Sequence, residues 1–253
     1  MKKIKYLSIG ILPFLWLLYF LFELFTGRIN SPVLIMGNLF FIILFGLVGL
    51  LIYSKSTKYP NGFKSKHLYF IFLTLFVIDQ GIKIIINNFY FNYNVDIIKG
   101  FISFNPIINT SGSWLNARFN TGISFSFLII FNALALFIFF ELYRFIKFNG
   151  FKGYWYDMCF IFIFCGALCS LIDKTFYGGS LDFIGISNLF IADIKDIYIN
   201  LGILFFIMSI YISGYLTNES KTNTKEDIEI LKKFLHFIKL DIKSVFKHKN
   251  VDR

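Results

Sequence analysis

The chain has 253 residues, 57% of them hydrophobic and 21% aromatic, with 36 phenylalanines and a formal net charge of +10. So much apolar side chain beside only 16% charged residues excludes an ordinary soluble domain and marks a polytopic membrane protein. The basic excess does not point to nucleic acid, because it is confined to alternate loops between apolar runs.

Six runs, at residues 6–25, 33–53, 68–86, 123–142, 156–172 and 197–215, approach the roughly 20 residues that a helix needs to cross the hydrocarbon core. The first follows Lys2, Lys3 and Lys5 like a signal peptide, but is too long and lacks a small-residue cleavage site, so it reads as a retained anchor. The first two runs form a hairpin, residues 1–55, set before a core at 67–216. Between the third and fourth runs, Val95-Asp96-Ile97-Ile98-Lys99-Gly100-Phe101-Ile102-Ser103-Phe104 partly alternates and is rich in β-branched residues, which predicts short strands. Turn chemistry follows at residues 109–114 and 120–122. Cys159, Cys165 and Cys169 fall in one apolar run with no histidine nearby, and read as small packing residues.

Beyond residue 217 comes a polar linker (218–225). Leu231, Phe234, Leu235, Ile238, Ile242, Val245 and Phe246 then recur at helical spacing among Lys232, Lys233, Lys239, Lys243 and Lys247. That pattern predicts an amphipathic helix on an anionic membrane surface, with partner docking as the alternative. Lysines and arginines crowd the N-terminus, the second-to-third and fourth-to-fifth loops, and the tail. The intervening loops hold only Arg28, then Lys99 and Arg118, then Lys174 and Lys195. The positive-inside rule therefore predicts two cytoplasmic termini.

That topology carries polar residues from distant parts of the chain to one face: Asp79 and Lys83 in the third run, Asn120 and Gly122 before the fourth, Asp173 at the end of the fifth, Asp182 in the loop after it, and Asp196 at the start of the sixth. A carboxylate inside a membrane is costly and reads as functional. Two aspartates sharing a site cannot both ionise, so one serves as base and the other as acid. A Ser-His pair is excluded because His67, His236 and His248 lie on the opposite face. Zinc is disfavoured by the absence of an HExxH or Cys/His cluster.

These residues resemble signal peptidase II, the lipoprotein signal peptidase family of four-helix membrane aspartyl proteases. The likeness runs from Leu68 to about Tyr215. Its Asp-x-x-x-Lys motif is matched by Asp79-Gln80-Gly81-Ile82-Lys83, and its Asn-x-Gly motif by Asn120-Thr121-Gly122-Ile123-Ser124-Phe125. The family's Asn-x-x-Asp-Arg stands here as Ser170-Leu171-Ile172-Asp173-Lys174, and its Asp-Phe as Asp182-Phe183. The resemblance implies an all-α fold of six transmembrane helices, the last four forming a signal peptidase II-like core with a small extracytoplasmic β region. It implies catalytic aspartates at Asp182 and in the family's last motif. There Ala192-Asp193 keeps the literal Ala-Asp pair. The alternative register takes Asp196, because Gly202 stands six residues on; Asp193 then replaces an Asn and Lys195 an Ala. Asn109 is a second candidate for the motif asparagine. The site residues implied are Asp182 and Asp196 as catalytic, with Asp79, Lys83, Asn109, Asn120, Gly122, Ser170, Asp173, Lys174 and Asp193 in support. No metal and no other cofactor is implied.

The implied partners are a diacylglyceryl-modified prolipoprotein and membrane lipid, with no nucleic acid, for a monomer in a bacterial cytoplasmic membrane. Ser170, Lys174 and Asp193 depart from the family pattern, and lysine cannot reproduce arginine's bidentate fork. A silent paralogue acting as a scaffold therefore stands as the alternative, and a small transporter as a further one.

Overall fold

A computed structural model describes residues 2–112, 114–214 and 224–248, with side chains omitted at 114, 115, 117, 224, 225 and 245–248. Residues 218–223 of the linker expected at 218–225, and the side chains of Val245, Phe246 and Lys247, lie outside the described residues, while its last two positions, 224 and 225, already belong to the tail helix. Among the described residues, six helices are long and apolar enough to cross a membrane: α1 (Lys2–Phe25), α2 (Pro32–Lys58), α3 (Ser65–Ile85), α5 (Phe125–Phe148), α6 (Tyr154–Phe176) and α7 (Ile194–Ile212). α3 runs on through a wider turn at Ile86–Tyr90. Each expected span is present, extended at most ends by polar or aromatic residues that hydropathy alone omits.

Local chemistry starts the helices. Ser31 caps α2, its hydroxyl accepting from the Leu34 N–H with Pro32 in the first turn, and Ser124 caps α5 by accepting from the Phe127 N–H, each satisfying a donor otherwise left without a partner. Asp193 caps α7 through a reciprocal capping box with Asp196. α6 and α7 approach closely where side chains are absent. A methyl group on Gly166 would meet Ile199 Cγ1 at 2.8 Å and the Lys195 carbonyl at 3.2 Å, and one on Gly202 would crowd Ile163. Small residues permit such close helix contact in membranes. Here it sets the first turn of α7 against the last turns of α6.

A four-stranded antiparallel sheet, β1 (Val95–Ile98), β2 (Ile102–Asn109), β3 (Ser180–Ile186) and β4 (Phe190–Ala192), covers that end of the bundle in the order β1-β2-β3-β4. The first two strands match expectation. β3 corrects the reading of Asp182 as a loop residue. Its seven residues are buried except half-buried Ile184, so both faces are covered and the polar alternation that reveals a strand is missing. The expected turn after β2 also contains a short helix, α4 (Trp114–Phe119).

The hairpin α1–α2 packs on the core. Leu12 and Ile52 share a buried cluster with Tyr154, Trp155, Leu204 and Phe205. At the sheet end, Arg28 pairs with buried Glu23 at 3.2 Å and donates to the carbonyls of Asn188 and Leu189 in the β3–β4 turn. Arg118 of α4 reaches Glu23 at 3.6 Å. Phe101, in the β1–β2 turn, packs over Gly37, where a side chain would collide with its ring. At the other end, α8 (Thr224–His248) lies on α5, with Phe234 and Phe237 against Phe145 and Arg144 paired with Asp241. The tail helix is therefore present, and part of its apolar face is spent on the bundle.

Candidate active site

Three helices and a strand contribute charged groups beneath the sheet. α3 supplies Asp79 and Lys83, both fully buried and one helical turn apart. α6 ends with buried Asp173 and Lys174, β3 brings Asp182, and the start of α7 brings Asp193, Lys195 and Asp196. The sheet register places Asn109 opposite Ser180, and the Asn109 amide donates to Asp182 Oδ2 at 2.9 Å.

Lys83 is the hub of the deepest layer. Its Nζ lies 2.9 Å from Asp79, 2.6 Å from Asp173 and 2.6 Å from Asp193. Gln80 donates to both Asp79 and Asp173. Lys195 forms a second hub, 2.5 Å from Asp193, 3.3 Å from Asp173 and 3.5 Å from Asp182, and hydrogen-bonded to Ser180 Oγ. Ser180 donates in turn to Asp182 Oδ1 at 2.5 Å. Asp193 is thus held by two ammonium groups. Burial pushes its carboxyl up, but Lys195 and Lys83 outweigh that and hold it below the ordinary aspartate range.

Asp182 and Asp196 differ from Asp193. Burial pushes the Asp182 carboxyl above its usual range against the pull of Lys195, Ser180 and Asn109. Asp196 is half-buried, and among the described residues it accepts one hydrogen bond, from the Asp193 N–H to Oδ2 at 3.1 Å. Carboxylate oxygens of Asp182, Asp193 and Asp196 all lie within 4.8 Å of one another. The Lys195 ammonium lies against two of the three, Asp182 and Asp193. The Ser180–Lys195 contact has the outline of a Ser-Lys nucleophile, yet a lysine touching three carboxylates is held as its cation and cannot act as base.

Beside this cluster a cavity of about 190 Å³ opens between α5, α6 and α7, lined by Leu128, Phe131, Ala135 and Ala167 with Ser170 and Lys174 at one wall. Lys174 donates to Ser170 Oγ at 2.5 Å. A second apolar cavity, about 200 Å³, lies toward the opposite ends of the same helices around Phe139, Cys159 and Phe206, and no carboxylate lines it.

A family model described as signal peptidase (SPase) II matches residues 71–212, more than half of the chain. The chain belongs to the signal peptidase II family. It is accordingly a multi-pass membrane aspartic peptidase that removes the signal peptide from lipoprotein precursors. A solved structure described as a bacterial membrane enzyme, obtained by the in meso method at 2.3 Å resolution, is 20% identical and superposes with a TM-score of 0.50, over 65% of this chain and 99% of that one. A second of the same description, at 1.9 Å resolution, is 22% identical with a TM-score of 0.48, over 60% and 96%. A comparison with curated proteins finds no match. The hairpin α1–α2 and helix α8 lie outside the span that matches signal peptidase II.

Of the residues expected at the site, Asp79, Lys83, Asn109, Asp173, Asp182, Asp193 and Asp196 are joined by the contacts above, and Ser170 and Lys174 line the adjoining cavity. Asn120 and Gly122 stand apart. Both are exposed with positive φ, 49° and 70°, and among the described residues neither contacts the aspartates. Between the two asparagine candidates, the contact to Asp182 belongs to Asn109. Gln80, Ser180 and Lys195 were not expected. Lys195 had a signal in the sequence, a lysine flanked by two aspartates at the mouth of an apolar run; Ser180 had none without the strand pairing.

Proposed function

We propose that Asp182 and Asp196 are the catalytic pair of this signal peptidase, cutting precursors that carry diacylglyceryl on the cysteine after the scissile bond. One observation carries the assignment: three carboxylates converge, and Asp193 is bound closely by two ammonium groups, whereas Asp182 meets one at 3.5 Å and Asp196 none among the described residues, which favours Asp182 and Asp196 for chemistry. With one proton shared between them, the ionised member takes a proton from water as its oxygen attacks the scissile carbonyl carbon. The protonated member gives its proton to the carbonyl oxygen. On collapse of the tetrahedral adduct the C–N bond breaks: the aspartate that received the water proton protonates the departing nitrogen, and the other takes a proton from an adduct hydroxyl, which restores the shared proton.

Lys83, Asp79 and Asp173 hold the floor of the site, and Asn109 orients Asp182. The cavity lined by Ser170 and Lys174 receives the lipid-bearing side of the substrate, while the acyl chains stay in the bilayer. In this reading both termini face the cytoplasm and the sheet lies at the outer face, which the lysine distribution supports. The enzyme acts as a monomer on single precursors among membrane lipids.

Cleavage of a synthetic prolipoprotein in liposomes tests this reading, with and without the diacylglyceryl group. Cutting that depends on the lipid and disappears in Asp182→Asn supports it. Equal cutting of the unlipidated precursor, or an active Asp182→Asn enzyme, overturns it.

A further inference from the structure

Lys195 and Asp193 form a buried ion pair within the first turn of α7, and nothing in the acid–base scheme above requires it. The pair is a local unit, two residues apart in sequence, fully or nearly fully buried. Its placement is asymmetric with respect to the two proposed catalytic carboxylates. The Lys195 ammonium touches Asp182 directly at 3.5 Å and again through Ser180, whose hydroxyl accepts from Lys195 and donates to Asp182 Oδ1 at 2.5 Å. Asn109 occupies Asp182 Oδ2. Asp182 therefore receives three donors, one of them cationic. Asp196 receives a single backbone N–H, and its near neighbour on the helix is the Asp193 carboxylate.

Donors and a nearby cation favour the ionised form of a carboxyl, and a nearby anion favours the neutral form. We infer that the Asp193–Lys195 pair is a positioning device that divides the labour of the dyad, fixing Asp182 as the ionised base and leaving the shared proton on Asp196 as the acid. The inference rests on the dyad proposed above. The charged groups around Asp182 are Lys195, Asp193 and Asp196 from α7, Lys174 and Asp173 from α6, and Lys83 and Asp79 from α3. Of these, Lys195 alone is placed to touch both Asp182 and the Ser180 that bonds it, among the described residues.

The two members of the pair must also stand or fall together. Asp193 without Lys195 adds an under-compensated anion beside the acid, and Lys195 without Asp193 loses its nearest anchor and swings toward Asp182 or Asp173. Removing one partner of a buried pair is far more damaging than removing both. The double variant Asp193→Asn/Lys195→Ala installs the residues that the family resemblance places at these positions.

The experiment is a pH–rate profile of prolipoprotein cleavage in liposomes for wild type, Lys195→Met, Lys195→Arg, Asp193→Asn, the double variant and Asp182→Asn. Each single loss should slow kcat/KM by about tenfold to a hundredfold, part of the range that acid–base groups supply. Lys195→Met should also move the acidic limb upward by about one pH unit, and Lys195→Arg should restore the limb. The double variant should recover most of what either single loses. A double variant as slow as the product of the two singles, or a Lys195→Met enzyme with wild-type rate and profile while Asp182→Asn is dead, overturns the positioning role alone. An Asp182→Asn enzyme that cuts at the wild-type rate overturns the dyad and the positioning role with it.

Discussion

Among the described residues, buried aspartates occur at both ends of the bundle, singly at one and clustered at the other. At the end away from the sheet, Asp157 of α6 is fully buried and saturated. It accepts from the Phe63 N–H at 2.7 Å, the Tyr143 hydroxyl at 2.9 Å and Lys147 Nζ at 2.8 Å. One carboxylate meets one ammonium, and the result ties the 59–64 loop, α5 and α6 together. At the sheet end, among the described residues, Asp79, Asp173, Asp182, Asp193 and Asp196 gather around Lys83 and Lys195, with Lys174 nearby, so five carboxylates meet three ammonium groups. A balanced buried carboxylate is a fastener. Five carboxylates around three ammonium groups favour a proton on one aspartate, and a protonated aspartate beside an ionised one is what peptide hydrolysis uses.

The contrast breaks most readily through the excess carboxylates. Asp182→Asn should abolish turnover by about 10²–10⁴-fold while helix content and thermal midpoint hold, measured by precursor cleavage and circular dichroism in the same detergent. Asp157→Asn should do the reverse. It loses a partner for Lys147 and a strong acceptor for the Phe63 N–H, costing about 1–3 kcal/mol of stability, with cleavage per folded enzyme unchanged. A loss of catalysis in Asp157→Asn at full stability would erase the distinction between the two ends.

Acidity sharpens the same comparison. The Asp182 carboxyl is raised by burial, so its ionised form is present above that raised value and is lost as the pH falls through it. Cleavage should therefore decline on acidification at a pH above the ordinary aspartate value of about 3.9. Asp193 has the opposite sign. Its lowered carboxyl contributes stability that is present above the unfolded value and is lost only as the pH falls through the lower folded one. Activity should thus fail before the fold does, which a pH series of rates and melting curves checks.

The hairpin clamp ranks next. Glu23→Gln removes the charge that gathers Arg28 and Arg118 and should cost about 1–3 kcal/mol of stability, read as a lower melting point, with a smaller effect on rate than any change at Asp182. Smallest is Asp241→Asn on α8. Arg144, by hydrogen bond and charge, holds that carboxyl below the usual range, but the pair is partly exposed, and its loss should cost no more than about 1 kcal/mol, read as faster hydrogen exchange of α8.

Much of this layout was legible in the chain. The spans follow from apolar length, and Asp79-Lys83 and Asp173 stand out because charge is expensive where they sit. The elements that sequence could not supply are those whose signal depends on pairing. β3 has no alternation because both faces are covered, so Asp182 looked like a loop residue and Ser180 was invisible. Asn120 matched the motif literally, whereas Asn109 holds the contact, since only strand register decides which asparagine reaches Asp182. Lys195 was read for its register and not for its reach, because a long side chain at a helix start gives no sign of the direction it will take.

The most direct test of the account compares Asp193→Asn with Asp196→Asn in one cleavage assay, using purified protein in liposomes and a diacylglyceryl-modified precursor at neutral pH. Asp196→Asn should be dead, while Asp193→Asn should be slowed but still cut. Cutting by Asp196→Asn, with Asp193→Asn dead, would contradict it and move the second catalytic aspartate three residues back along the chain.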